Sequence, residues 1–131
     1  MGQQQIILIV LSVIIVGTAI AVGLLLFQAN AISANKDAIM QDLYSLIADA
    51  RAYYLRPKSY GGGGRSYTGY QIPSKLVAKM QENATYSSSG IAGGVQFQAI
   101  SKSYDGTITV KVDAFHTQPY GWNITGVDFE E

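Results

Sequence analysis

The sequence predicts an α+β fold: one long N-terminal α-helix over about residues 1–55 and a small C-terminal antiparallel β-sheet head. Three observations predict it. The first 35 residues hold no Asp, Glu, Lys, Arg or His, and residues 6–27 (IILIVLSVIIVGTAIAVGLLLF) are almost wholly apolar. Ile39, Met40, Leu43, Leu46, Ile47, Ala50 and Tyr54 then recur at three- and four-residue steps, the spacing of a helix with one apolar face. From Val95 onward the period becomes two, the alternation of a strand buried on one side.

The apolar run comes first. At ~1.5 Å per residue its 22 residues span ~33 Å as a helix, enough to cross the ~30 Å hydrocarbon core of a bilayer. Residues 1–28 are therefore expected to form a hydrophobic helical segment for a membrane or another dry environment. Residues 29–131 form the head, which includes the amphipathic second half of the helix. Gly17 with Ala21, and Ala19 with Gly23, are pairs of small residues four apart, a spacing that lets helix backbones approach closely. No Pro occurs before Pro57, so the helix is expected to continue through Gly17 and Gly23. Beyond Phe27 the stripe faces one way, and Lys36, Asp37, Gln41, Asp42, Ser45 and Asp49 are expected on the other side. Pro57 disfavours helical geometry at Arg56, so the helix should stop near Leu55. Arg51, Arg56 and Lys58 then lie near its negative end.

The segment 58–71 (KSYGGGGRSYTGYQ) is a loop by composition. Residues 74–82 read as a short helix with Ser74 as a candidate N-cap, and residues 87–94 (SSSGIAGG) as a flexible connection. Val95, Phe97 and Ala99 alternate with Gln96, Gln98 and Ile100. Tyr104-Asp105-Gly106 signals a hairpin turn. Ile108, Val110 and Val112 alternate with Thr109, Lys111 and Asp113. Pro119 and Gly121 mark a second turn before Trp122, Ile124 and Val127 in a last strand. A three- or four-stranded meander could lay its apolar face on the Ile39–Tyr54 stripe.

Composition excludes several classes of chemistry. Nine acidic and nine basic residues cancel, so no excess charge points to nucleic acid. There is no Cys, which rules out disulfides, thiolate metal sites and covalent haem attachment. His116 is the one histidine, too few for a His-based metal cluster, and is read as structural or solvated. The four glycines 61–64 are followed by Arg65 and Ser66 rather than Lys-Ser/Thr, and no strand precedes them, so they are not a phosphate cradle. No Gly-x-Ser-x-Gly elbow occurs. Neither enzymatic activity nor a cofactor is expected. Nine Tyr, four Phe and one Trp suit subunit contacts and surface adhesion, since Tyr serves interfaces with one wet side. Asn83-Ala-Thr85 and Asn123-Ile-Thr125 are acceptor sequons for N-glycosylation. Asn83 lies nearer a loop and is the better candidate, with Asn123 partly buried in a strand.

The flanks of the apolar run carry the most specific reading. Met1-Gly-Gln-Gln-Gln5 precedes it without a cation, and the nearest one, Lys36, lies on the far side. That placement would orient a plain signal anchor wrongly for an exported head. A basic leader removed ahead of Met1 is the expected resolution. The N-terminal pattern then resembles that of type IV pilins and pseudopilins. The resemblance covers residues 1 to about 56 in pattern and the remainder in outline.

It implies a leader cut by a prepilin peptidase, N-methylation at Met1, and export through inner-membrane pilus assembly machinery. Assembly contacts would fall on Met1, Gln5, Ile6, Leu11, Gly17, Ala21, Gly23 and Phe27. The family usually has Glu where this chain has Gln5, which removes a charge pair with a neighbour's terminal amine but keeps a hydrogen-bonding amide. Some pseudopilins bind calcium near the C-terminus. Asp128, Glu130 and Glu131 are the residues that could serve, and a frayed acidic tail is the plainer reading. The implied function is a structural subunit of an extracellular type IV pilus-like filament, with its own copies as principal partner and adhesion, motility or surface interaction as its use. The alternatives are a monomeric membrane-anchored binding module and a type II secretion pseudopilin.

Overall fold

The computed structural model describes residues 2–129. Helix α1 runs Gly2–Leu55, a single-turn 3-10 helix Lys58–Tyr60, and helix α2 Ser74–Met80; the strands are β1 Ala84–Ile91, β2 Gly94–Ser101, β3 Thr107–Asp113 and β4 Tyr120–Thr125. The strands form one antiparallel sheet in the order β1-β2-β3-β4. The fold is α+β, a long N-terminal helix followed by a four-stranded meander. The chain divides into two compact units, Met1–Ser33 and Ala34–Glu131.

In the first unit α1 passes Gly17 and Gly23 as unbroken helix. A break needs a lost hydrogen bond or an inserted ring, and neither glycine supplies one.

In the second unit the helical stripe becomes the core. Ile39, Leu43, Leu46, Ile47 and Ala50 are all buried, as are Val95, Phe97, Ala99, Ile108, Val110 and Val112 of the sheet. The register aligns the sheet residues in rows, Tyr86 beside Ala99 and Ile108, and Phe97 beside Val110. Because side chains alternate across a sheet, a one-residue slip would expose every one of them. The opposite face carries Thr85, Ser87, Gln98 and Asn123 to solvent.

Polar residues at the flanks of the stripe tie helix to sheet. Asp42 and Asp49, expected on the solvated side, are acceptors in part-buried bonds: the Tyr86 hydroxyl (2.6 Å) and the Asn83 amide (3.1 Å) donate to Asp42, and the Tyr70 hydroxyl donates to Asp49 at 2.7 Å. Burial, and then these bonds, push the Tyr70 and Tyr86 hydroxyls well above the ordinary phenolic value. The Ser101 hydroxyl donates to Asn35 at 2.9 Å and the Arg51 guanidinium to the Thr117 carbonyl at 2.7 Å.

The glycine loop closes the helix. The Gly63 and Arg65 amides donate to the Tyr53 and Tyr54 carbonyls at 2.8 and 2.7 Å, and the Gly64 amide to the Arg56 carbonyl at 2.9 Å. The Tyr53 and Tyr54 carbonyls are among those that a helix end leaves without intrahelical partners. A Cβ on Gly62 would run into the Arg56 carbonyl, and one on Gly63 into the Ser66 carbonyl. The run of glycines is thus a helix cap, its amides turned toward carbonyl oxygens.

Several local expectations are corrected. Residues 87–91 belong to β1, and Ala92-Gly93 forms the tight turn into β2, with Gly93 at φ +76°. Ser- and Gly-rich composition hid an edge strand that pairs with β2 along its whole length; pairing outweighs propensity there. Ser74 is the first residue of α2, not its cap. Pro73 occupies the cap position, with no side-chain hydrogen bond. Gly121 does not form the second turn. It lies inside β4 at φ +67°, near the register break between Thr109 and Lys111, and the turn is built from residues 114–119. Val127 falls beyond β4 and is exposed.

Candidate functional site

The first unit presents an apolar surface over residues 6–27, preceded by Gln3, Gln4 and Gln5. Every residue from Gly2 to Asn30 is exposed. None of the most apolar stretch of α1 is buried. The helix is long and apolar enough to cross a membrane. A helix that is apolar all round is ordinarily covered on every side, and here the cover must come from outside the described chain. Its two hydroxyls do not interrupt the surface: Ser12 donates to the Leu8 carbonyl at 2.7 Å and Thr18 to the Ile15 carbonyl at 2.9 Å. Bonds of this kind let hydroxyls sit in an apolar medium.

Of the assembly residues, Met1 lies outside the described residues. Gln5, Ile6, Leu11, Gly17, Ala21, Gly23 and Phe27 all lie on α1 and are exposed. They are not gathered on one face. At about 100° per residue, the Gly17–Ala21 pair and the Ala19–Gly23 pair lie about 160° apart around the axis. A Cβ on Gly17 or Gly23 would meet nothing within 4 Å. Nothing in the chain itself requires glycine at these positions, although each costs about 1 kcal/mol against Ala in a helix interior. A shallow apolar groove edged by Gly17 opens between Val13, Val16 and Ile20.

In the second unit the polar clusters serve structure. The buried Asp113 carboxylate organises the turn after β3. Its Oδ1 accepts from the backbone amides of Phe115 and His116 at 3.0 and 2.8 Å and lies 2.8 Å from the His116 ring Nδ1, and its Oδ2 accepts from the Tyr120 hydroxyl at 2.7 Å. Desolvation alone would raise this carboxyl; the donors from Tyr120, His116 and Phe115 outweigh it and hold the group down at about 2. The His116 ring stacks on Tyr120 with centroids 3.9 Å apart. It braces a turn.

Asp128 is not part of a frayed tail. Its carboxylate accepts from the Asp105 amide at 2.7 Å, and its own amide donates to the Asp105 carbonyl at 3.0 Å. Phe129 beyond it is buried at 2 % exposure. Glu130 and Glu131 lie outside the described residues. Among the described residues no group of three or more His, Asp or Glu side chains could hold a metal ion.

The two sequons exchange places. The Asn83 side-chain nitrogen, the atom a glycan would take, is half-buried and committed to Asp42 at 3.1 Å. Asn123 is exposed on the outer face of β4. Strand parity places it there, two residues from Thr125 on the same face.

The tyrosines at the helix end and in the glycine loop form an aromatic cluster whose pairings the sequence did not show. Tyr54 and Tyr67 stack with centroids 4.7 Å apart at 21°. Phe115, on the turn organised by Asp113, is 83 % exposed. A sign was present in the tyrosines at 53, 54, 67 and 70, but which of them meet depends on where the glycine loop folds back. Comparison with family models, with curated proteins and with solved structures finds no match.

Proposed function

We propose that this chain is a structural subunit of an extracellular type IV pilus-like filament that polymerises through its N-terminal helix. The observation that carries the reading is the charge-free, exposed stretch of helix from Gly2 to Asn30, apolar around its whole circumference over residues 6–27 and covered by nothing in the described chain. A bilayer supplies such cover, and so does a bundle of like helices. The bundle is favoured by the two small-residue pairs on opposite sides of the axis, because close approach on two sides suits a helix with several helical neighbours. Exchanging lipid for neighbouring apolar helices costs little desolvation, and the self-bonded hydroxyls of Ser12 and Thr18 can make the same transfer. In this reading the cytoplasmic membrane holds the subunit before assembly. A prepilin peptidase and inner-membrane assembly machinery act on it, with Met1 as the methylated residue. The head then faces outward for adhesion, motility or other surface interaction, and the chain is not an enzyme.

The test is Val13→Lys or Ile15→Lys. A lone ammonium in a dry helix bundle is expensive, so either variant is expected to abolish filaments in electron micrographs of sheared surface material while the head keeps its thermal unfolding transition. Filaments of normal number and length from these variants would refute the dry core. Absence of the unaltered chain from any filament, with the protein remaining monomeric in the membrane, would refute the reading as a whole and leave an anchored binding module.

A further inference from the structure

A second candidate surface lies in the second unit where α1 ends, among residues 51–117, and stands whether or not the first unit polymerises. Two clefts of about 350 and 310 Å³ adjoin there and share Tyr54, Tyr67, Ala114 and Phe115 as a common wall. Both are at the small end of the ~300–1,000 Å³ range of small-ligand sites. The wall is aromatic: the Tyr54–Tyr67 stack, with Tyr67 itself buried, forms its floor, and Phe115 is the ring that stands in solvent as a ridge.

Phe115 is the informative residue. Single exposed apolar side chains are common and need no explanation. What sets this one apart is the framework around it. A ring 83 % exposed adds little to the core, yet the backbone around it is held by three hydrogen bonds to two anchors. The Phe115 and His116 amides donate to the buried Asp113 carboxylate, and the Ala114 amide donates to the Gly93 carbonyl at 3.3 Å. The ring edge overlies Gly93, where a Cβ would come within 2.9 Å of it. An aromatic presented to solvent on a braced turn is pre-organised, so binding a ligand there would order little that is not already fixed.

The chemistry of the larger cleft narrows the ligand. Beside the aromatic rings its lining is mixed, with Ile91 and Val95 next to the Ser66 and Thr68 side chains and the backbone of Gly69 and Gly93. Ser66 already donates to Thr68 Oγ1 and accepts from the Thr68 amide, which leaves the exposed Thr68 hydroxyl as a donor that an acyl chain would strip of water. A phosphate or other polyanion finds one Arg in each cleft, with the negative end of α1 close by. Arg65 lines the larger; in the smaller, Arg51 is committed to the Thr117 carbonyl, and the Asp113 carboxylate lines the same cleft. A sugar ring satisfies both halves. The C–H face of a pyranose meets the electron-rich face of an aromatic ring, and its hydroxyls bond to side-chain hydroxyls and peptide groups. We propose that the head binds a neutral oligosaccharide across the Phe115 ridge, with one stretch of pyranose residues in each cleft.

The full-length protein, held in a detergent without a sugar headgroup, would be applied to a microarray printed with neutral hexose, N-acetylhexosamine and uronate oligosaccharides. Retention on at least one neutral series is expected. Phe115→Ala should lower it at least tenfold, and Phe115→Trp, which keeps the platform, should stay within threefold of the unaltered chain. Because the ring is exposed, all three proteins should share one thermal unfolding midpoint, which separates lost binding from lost fold. Retention by none of the glycans, retention on uronates alone, or equal binding by Phe115→Ala would each overturn the proposal. So would loss of self-association in Phe115→Ala without glycan binding by the unaltered chain, since the ridge would then belong to a second copy.

Discussion

Asp113 sets the turn that follows it. Two backbone amides, an imidazole nitrogen and a phenolic hydroxyl converge on its carboxylate, and the segment from Ala114 to Tyr120 takes its shape from them. The same groups hold its titration down at about 2, against an ordinary value of 3.8. A carboxyl with a lower pKa in the folded than in the unfolded state contributes stability that is present above the unfolded value and is lost as pH falls through the folded one. The head should therefore lose stability as pH is lowered from about 4 to about 2, and Asp113→Asn should flatten that part of the profile. Urea unfolding curves across that range check it; a variant as acid-sensitive as the unaltered chain would count against this role for Asp113. His116 belongs to the same cluster. Its uniqueness in the sequence excluded a His-based metal centre, but only the folded turn makes it a neighbour of Asp113 and Tyr120. The exchange between Asn83 and Asn123 has the same origin, because Asp42, which engages Asn83, is 41 residues away in sequence.

The elements differ in how openly their residues announce them. The stripe of α1 and the alternation of β2 and β3 were legible because burial on one face imposes a period. Strand β1 was not, because its outward residues are Ser and Thr and its edge position asks for few apolar side chains. The glycine loop was legible as a loop but not as a cap, since the partners of the Gly63 and Arg65 amides are carbonyls of the preceding helix. That role makes a graded prediction. Gly63→Ala should cost about 2 kcal/mol through displaced hydrogen bonds at a buried helix end. Gly61→Ala, at φ +79° but with nothing within 4 Å of its Cβ, should cost only the ~1 kcal/mol of a left-handed non-glycine residue. Chemical denaturation of the two variants gives the order, and a reversed order would mean that backbone conformation outweighs close approach in this cap.

Across the whole molecule the two units answer to different solvents. The second unit buries its apolar stripe within the chain, while residues 2–30 bury nothing. The glycines of α1 separate these regimes experimentally. Gly23→Leu fills space that is empty in the single chain and replaces a poor helix former with a good one. The unfolding transition of the head should be unchanged. If the helix packs closely against like helices, the added side chain should reduce filament yield severalfold in sheared preparations, whereas a helix surrounded by lipid should accept it. Unchanged filament yield would remove close packing at Gly23 from the account.

The α+β class, the long helix with its end near Leu55, and the apolar faces of α1, β2 and β3 could all be read from the order of residues alone. Each follows from local chemistry: the 3.6 and 2.0 periods of burial, the backbone restriction before Pro57, and the cost of charge in a dry medium. Folding in three dimensions was needed to make β1 a strand, to set tyrosines on Asp42 and Asp49, to turn the glycine run into a helix cap, and to stand Phe115 on a braced ridge. These features require residues far apart in sequence to arrive within hydrogen-bonding or stacking distance, and no periodicity within a short window records such meetings.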